Sequence, residues 1–310
     1  MKSEAITTCG ERSASPAAVS GSGRSAGRRG AVAPGSAWAL VTGAGSGIGR
    51  CYALRLAALG YNLVLAGNRR EPLETVCGEI LAAAGPDGDA PKATSAAGFR
   101  SDVRIVEIDL ARTEAAAELW EAVRREGAAI DVLVNNAGIF SFRDILHTPA
   151  ERIERIILLH DLTNTQLCRM AAADMVRRGC RGHILNMSSY SLWMPFPGLA
   201  LYSASKAYLR SFSVAFAKEV REHGIRVTAV CPAGVATDLY GLTPRWQRIG
   251  TRLGVLITAD SCARRGLRAL WRGRRCIVPD WWNRVWIPLC KILPMWVLRP
   301  VRRFTMKFQK

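Results

Sequence analysis

Thr42-Gly43-Ala44-Gly45-Ser46-Gly47-Ile48-Gly49 decides how this chain is read. The run follows Ala39-Leu40-Val41, a short apolar stretch that stops in glycine as a buried parallel strand does. It precedes residues 48–59, which pattern as a helix closed by Gly60. Glycines permit a tight turn and a close backbone approach to a pyrophosphate. The helix N-terminus adds unpaired N–H groups and the positive end of its dipole. A glycine-rich turn alone says little, but between a strand and a helix it has the context in which dinucleotide phosphates are held. The expected cradle is Gly43, Ser46, Gly47, Ile48 and Gly49.

Outward from this turn the pattern alternates. Residues 62–66 and 103–108 read as strands, with a helix over 71–84 and a loose Gly/Pro/Asp/Ala insert over 85–98 between them. A helix over 114–126, a strand over 131–134 and a long helical stretch over 150–178 follow. Then come a strand over 183–187, a helix over 203–223 closed by Gly224, a strand over 227–230 and a last strand near Cys276-Ile277-Val278. This alternation predicts an α/β fold, a doubly wound parallel sheet of about seven strands with helices on both faces. Residues 241–310 are expected to carry substrate-side helices and an extension.

Charge divides the chain differently. The net charge is +18 over 310 residues, with 43 Lys and Arg against 25 Asp and Glu. Residues 37–240 are nearly balanced at +1, whereas residues 241–310 carry +14. Residues 1–36 are rich in Ala, Gly, Ser and Arg without hydrophobic periodicity, and read as disordered. The expected organisation is a disordered extension over 1–36, one α/β domain over 37–280, and a basic, Trp-rich tail over 281–310.

That tail holds Trp281, Trp282, Trp286 and Trp296 among aliphatics and Arg or Lys. Such a mixture suits an anionic membrane surface, and equally a dimer arm or pocket lid that buries its tryptophans. Nucleic acid is disfavoured, because the aromatics sit among aliphatics rather than as a stacking platform. No stretch reaches 18 uncharged apolar residues and no apolar leader is visible. The nine cysteines lack CxxC spacing and the four histidines are too few to complete a zinc site. Reduced thiols, no metal, and a cytoplasmic setting, peripheral to a membrane if the tail binds one, are expected.

The end of the second strand reads Asn68-Arg69-Arg70, where a carboxylate would hold a ribose 2′-OH. Arginine suits a 2′-phosphate instead, so NADP(H) is favoured over NAD(H), with Asn68 and Arg69 as contacts. Asp109 ends the third strand and is placed to accept from an adenine amino group. Asn135-Asn136-Ala137-Gly138 ends the fourth, at the carboxyl edge where open sheets bind ligands. Asn136, Ala137 and Gly138 are therefore cofactor-binding candidates, with Thr237 beyond the strand over 227–230.

Tyr202-Ser203-Ala204-Ser205-Lys206 carries the chemistry. Tyr and Lys four apart share a helical face, and an ammonium beside a phenol favours phenolate. Tyr202 is then a general acid for reducing a ketone, or a base for the reverse. Lys206 is expected to tune Tyr202, and an ammonium there could also bind the hydroxyls of a nicotinamide ribose. Ser189, after the strand over 183–187, is placed to polarise a carbonyl. Trp193, Met194, Phe196 and Tyr240 suggest apolar walls.

In this order and spacing, residues 42–49 and 135–138, with Ser189, Tyr202 and Lys206, resemble the short-chain dehydrogenase/reductase family over about residues 38–240. The resemblance implies a single Rossmann domain, hydride transfer with NAD(P), a Ser-Tyr-Lys catalytic set and a homodimer or homotetramer. Residues 47–53 and the basic apolar tail are similar to the branch that reduces 3-oxoacyl-CoA chains or steroid ketones. The expected function is NADPH-dependent reduction of a lipophilic ketone in lipid metabolism. A non-catalytic NADP(H)-binding regulator and a membrane-associated relative remain alternatives. Two departures bear on them. His160 stands where the family often has an Asn, as either a proton relay or a packed core residue. The family's Pro-Gly appears as Cys231-Pro232-Ala233-Gly234, shifting the glycine.

Overall fold

A computed structural model describes residues 7–8, 35–83, 101–193, 196–237, 243–252 and 256–280. The expected tail over 281–310, nearly all of the N-terminal extension, and the candidate wall residues Met194 and Tyr240 lie outside them.

The elements in chain order begin with β1 (Thr7–Thr8), β2 (Trp38–Thr42), α1 (Gly47–Ala58), β3 (Asn62–Gly67) and α2 (Arg70–Ala83). β4 (Val103–Glu107), α3 (Ala115–Arg125) and β5 (Ile130–Asn135) complete the first half. α4 (Ala150–Ile157), a π-helical turn (Leu158–Thr163) and α5 (Asn164–Arg177) follow, then β6 (His183–Met187) and α6 (Ala200–Glu219). β7 (Arg226–Val230), β8 (Gly234–Ala236), α7 (Pro244–Arg252), β9 (Leu256–Thr258), α8 (Ala259–Trp271) and β10 (Cys276–Ile277) finish the described chain.

Seven strands run parallel in the order β4-β3-β2-β5-β6-β7-β10, and β1 pairs antiparallel with the outer edge of β4. The Thr7–Thr8 pairing lies inside the stretch expected to be without structure. Strand residues alternate between two cores, as a pleated sheet covered on both faces requires. Ala39, Val41, Leu63, Leu65, Val132 and Val134 pack under α1, α2 and α8. Leu40, Val64, Leu133, Ile184 and Val227 pack under α3, α5 and α6.

The chain moves from β2 outward through β3 to β4, then returns to β5 on the other side of β2. Between β2 and β5 the connections diverge, and the carboxyl ends of these two strands open a crevice. Gly43 leaves β2 there, and Asn136 leaves β5.

Three expectations are corrected. The stretch 150–178 is not one α-helix, because the π turn over Leu158–Thr163 interrupts it. α6 starts at Ala200 rather than 203 and ends at Glu219, and Gly224 (φ 74°) closes the following turn rather than the helix itself. The substrate-side helices expected over 241–310 do not include α8. Its Cys262, Ala263, Leu267 and Leu270 pack with α1, and Gly266 lies so close to Tyr52 Oη that a Cβ would stand 2.2 Å from it.

Candidate active site

The crevice is a cleft of about 440 Å³ running from the N-terminus of α1 to the start of α6. Of the residues singled out from sequence, Gly43, Ser46, Gly47, Ile48, Asn68, Asp109, Asn136, Ala137, Gly138, Ser189, Tyr202, Lys206 and Thr237 line it. Gly49 and Arg69 do not. Gly49 is buried behind the turn, where a Cβ would sit 2.0 Å from the Gly43 carbonyl oxygen. Its role is the close approach of helix and strand, rather than contact with a ligand. Arg69 is exposed at the start of α2, and Arg70 Nε holds Glu74 at 2.8 Å.

The two turns at the switch point are tied together. Thr42 Oγ1 accepts the N–H groups of Asn136 and Ala137 at 3.0 and 3.1 Å. Asn136 Nδ2 donates back to the carbonyls of Thr42 and Gly43, each at 3.1 Å. Gly43 has φ 63° and lies against Ala137, with a Cβ there only 2.9 Å from the Ala137 Cα. A side chain would part the turns, so glycine is required both for conformation and for space. Gly47 (φ 52°) faces Thr237, whose Cγ2 would lie 3.2 Å from a Cβ at that position. Thr237 thus closes over the helix N-terminus from the far side. Gly234, displaced in sequence, opens β8 and pairs with Leu256 of β9.

Asp109 lines the other rim. Its Oδ1 accepts the N–H of Ala111 at 3.0 Å and its Oδ2 pairs with Arg155 at 3.0 Å. Arg155 was not foreseen. It is one of two arginines on α4, and only the tertiary packing of α4 beside the end of β4 brings it to the cleft.

Ser189, Tyr202 and Lys206 meet at the inner end, all buried. Lys206 Nζ donates to the Met187 carbonyl at 3.1 Å and lies 5.7 Å from the Tyr202 ring centroid. Burial lowers the Lys206 ammonium to about 8, against the pull of Asp161, which raises it. Ser188 Oγ donates to the Lys206 carbonyl at 2.7 Å, fixing α6 to the end of β6. Ser189 Oγ accepts the Ser191 N–H at 3.2 Å, which leaves its own hydrogen available to another acceptor. Phe140 packs edge-on against Tyr202, with centroids 5.1 Å apart.

His160 lies in the π turn and is fully buried. Its Nε2 accepts the Ile139 N–H at 3.0 Å, so that nitrogen carries no proton. Its Nδ1 lies 2.8 Å from Ser205 Oγ, and Ser205 Oγ donates to the Tyr202 carbonyl at 2.9 Å. Nδ1 is therefore the donor, and the ring is one fixed neutral tautomer. Burial, with Lys206 next, pushes its pKa well below the ordinary histidine value. Of the two expectations, the packed residue is the one the geometry supports, because neither nitrogen is left to pass a proton. Asp161, beside it, has a buried Oδ1 without a hydrogen-bond partner among the described residues. Burial raises that carboxyl to about 6, and Lys206 acts the opposite way.

A nicotinamide dinucleotide fits these residues. The glycine cradle would be filled by side chains at Gly43 and Gly47, and the buried Lys206 makes no ion pair within 4 Å among the described residues. Among these residues no group of three His, Cys, Asp or Glu could hold a metal, and no helix is long and apolar enough to cross a membrane.

A family model described as short chain dehydrogenase matches residues 37–248. A very-long-chain 3-oxoacyl-CoA reductase of Anas platyrhynchos is 34% identical over 68% of this chain and 64% of its own length. The 17-beta-hydroxysteroid dehydrogenase type 3 of Mus musculus is 33% identical over 65% of this chain and 61% of its own length. The matched segment therefore spans less than two thirds of these curated relatives. Among solved structures, a short-chain dehydrogenase from Sphingobium yanoikuyae in complex with NADPH superposes with a TM-score of 0.66 at 28% identity, covering 80% of this chain and 92% of that one. With the sheet order, the glycine turn at the switch point and Ser189, Tyr202 and Lys206 at one end of the cleft, the match over residues 37–248 places this chain in the short-chain dehydrogenase family.

Proposed function

We propose that the protein is an NADPH-dependent reductase of a lipophilic ketone, of the 3-oxoacyl or steroid-like kind. The convergence of Ser189, Tyr202 and Lys206 at the closed end of a cleft whose open end is a helix N-terminus carries this reading. The names of the relatives, 3-oxoacyl-CoA reductase and 17-beta-hydroxysteroid dehydrogenase, support the substrate class.

The α1 N-terminus, with Gly43, Ser46, Gly47 and Ile48, would hold the pyrophosphate, and Asp109 would face the adenine. Arg69, exposed beside Asn68 at the rim, would reach a 2′-phosphate, which is the basis for preferring NADPH. The bound nicotinamide supplies the hydride. Ser189 donates a hydrogen bond to the substrate carbonyl and polarises it. Tyr202 donates the proton that turns the developing alkoxide into an alcohol, and the Lys206 charge stabilises the phenolate left behind. Gly138, beside Lys206, would flank the nicotinamide end, and Ala137 and Thr237, against Gly43 and Gly47, would flank the pyrophosphate. A homo-oligomer and a tail resting on anionic lipid belong to the same proposal. Exposed Ile157 and Tyr208 on α4 and α6 are apolar surface of the sort a subunit contact covers.

Tyr202→Phe tests the mechanism. Turnover of a ketone panel should fall by about 10²–10⁴-fold while NADPH affinity stays within about twofold. Substantial activity in that variant overturns the assignment. Titration with NADPH against NADH tests the cofactor preference, with at least about a tenfold difference expected.

A further inference from the structure

Two sulfurs meet just behind the cleft wall, outside the machinery described above. Cys231 Sγ and Cys276 Sγ are 3.8 Å apart. Cys231 follows β7, and Cys276 opens β10, the two-residue strand at the edge of the sheet. Cys276 is opposite Ala229, so Cys231 lies two positions further along the same face and the two side chains lean diagonally together. The backbones are joined there, with Cys231 N–H donating to the Ile277 carbonyl at 2.8 Å.

The two thiols differ in environment. Cys231 is buried and Cys276 half-buried. The contact with Cys231, and then the Arg210 guanidinium, pull the Cys276 thiol below its usual value, while burial opposes them. The contact with Cys276, and then burial, hold Cys231 well above it. Burial raises Cys51, Cys168, Cys180 and Cys262 alike. Arg210 is held over the Trp193 ring, 5.5 Å from its centroid, which keeps its charge beside Cys276.

We propose that Cys231 and Cys276 are an oxidisable dithiol, converted by hydrogen peroxide to a disulfide that moves the wall of the cleft. The Cys276 thiolate attacks one peroxide oxygen, the O–O bond breaks, and the released hydroxide takes a proton to leave as water. Cys276 is then a sulfenic acid. Cys231 sulfur attacks the Cys276 sulfur, the S–S bond forms, the S–O bond breaks, and the proton from Cys231 leaves with the second water. The two sulfurs lose two electrons in all and the two peroxide oxygens gain them.

Closing the bond moves the chain. A disulfide needs its sulfurs at about 2.05 Å, whereas here they stand 3.8 Å apart. Bond formation draws the two side chains, and with them the ends of β7 and β10, together by about 1–2 Å. Pro232, the next residue, lines the cleft, and its carbonyl accepts the Tyr190 N–H at 2.8 Å, one residue beyond Ser189. Closure displaces that carbonyl and with it the support of Ser189.

The test treats the full-length protein with hydrogen peroxide, raising the dose until Cys180 is oxidised as an internal control, and maps unreduced peptides by mass. The expected result is a Cys231–Cys276 link, two hydrogens lighter, formed before Cys180 reacts and reversed by dithiothreitol. Ketone reduction by the linked form should fall about 10–100-fold, the loss expected for a displacement of about 1 Å at a positioned group. Cys276→Ser should abolish the link and the peroxide sensitivity, and Cys231→Ser should leave a sulfenic acid on Cys276 that dimedone traps. Oxidation of Cys180 with no link overturns the proposal, as does a complete link with unchanged turnover. The mass readout needs no turnover, so a link in a protein without reductase activity would fail the functional reading and not the dithiol.

Discussion

Replacing His160 tests the most unusual feature of the site. The ring spans two elements, accepting from the Ile139 amide beside the cleft and donating through Ser205 toward the Tyr202 carbonyl at the start of α6. His160→Phe keeps the aromatic volume and loses both bonds. The Ser205 hydroxyl is buried, so leaving it without its donor costs about 1–3 kcal/mol. Ile139 is only half-buried and water can reach its amide, which puts that loss near about 1 kcal/mol. The expected destabilisation is about 2–4 kcal/mol, a fall in Tm of roughly 4–16 °C for a domain of this size. His160→Asn keeps a donor near the Nδ1 position and loses only the Ile139 acceptor, so it should cost about 1 kcal/mol.

The pH dependence separates a neutral clamp from a charged relay. A histidine held below its ordinary value of 6.5 binds its proton in the unfolded chain first, so stability is lost as pH falls below 6.5. While the ring stays neutral, the loss is about 1.4 kcal/mol per pH unit, or about 2 kcal/mol between about pH 7.5 and 5. His183, lowered by burial to about 4, adds a similar slope, and Asp161, raised to about 6, acts in the opposite sense as it ionises. Both are present in wild type and variant, so the difference between the two urea-unfolding series isolates His160. His160→Phe should lack about one proton's worth of slope. Equal slopes in the two proteins would refute the buried neutral ring.

Other outcomes follow from the same geometry. Lys206 loses its proton at about 8 because it is buried, so kcat/KM for ketone reduction should hold up to about that pH and fall about tenfold per unit above it. A profile flat to about pH 10 would show that the ammonium is not needed. Gly49→Ala places a Cβ against the Gly43 carbonyl and should abolish NADPH binding, read by quenching of tryptophan fluorescence, while far-UV circular dichroism is unchanged. Gly266→Ala drives a methyl into Tyr52 Oη, which donates to Met187 Sδ in the buried core, and should cost about 1–3 kcal/mol in urea unfolding with little change in cofactor affinity.

Much of this protein is written locally. Ala39-Leu40-Val41 in β2 and Leu63-Val64-Leu65-Ala66 in β3 are unbroken apolar runs, each ending at a polar or glycine residue, the pattern of a parallel strand buried on both faces. The glycine turn is local for the same reason, since positive φ at Gly43 and Gly47 and the close approach of Gly49 are demands on single residues. Tyr202 and Lys206 share a face because of helix period alone.

What the chain does not write locally is partnership across distance. Arg155 reads as one more charge on an amphipathic helix until α4 is laid beside the end of β4 and meets Asp109. Gly49 matches a binding pattern in sequence, yet packing turns it behind the turn, where it lets helix and strand approach. The π turn over Leu158–Thr163 carries no periodic mark, because one residue added to a helical turn alters side-chain direction without altering composition. His160 could be read from sequence as a relay or as core, and only the atoms on either side of its ring decide the matter, since a tautomer is set by which hydrogen bonds the second nitrogen makes. Cys231 and Cys276 stand far apart in the chain and adjacent in the sheet for the same physical reason. Strand order is a property of the whole fold, and pairing in a parallel sheet is non-local by construction.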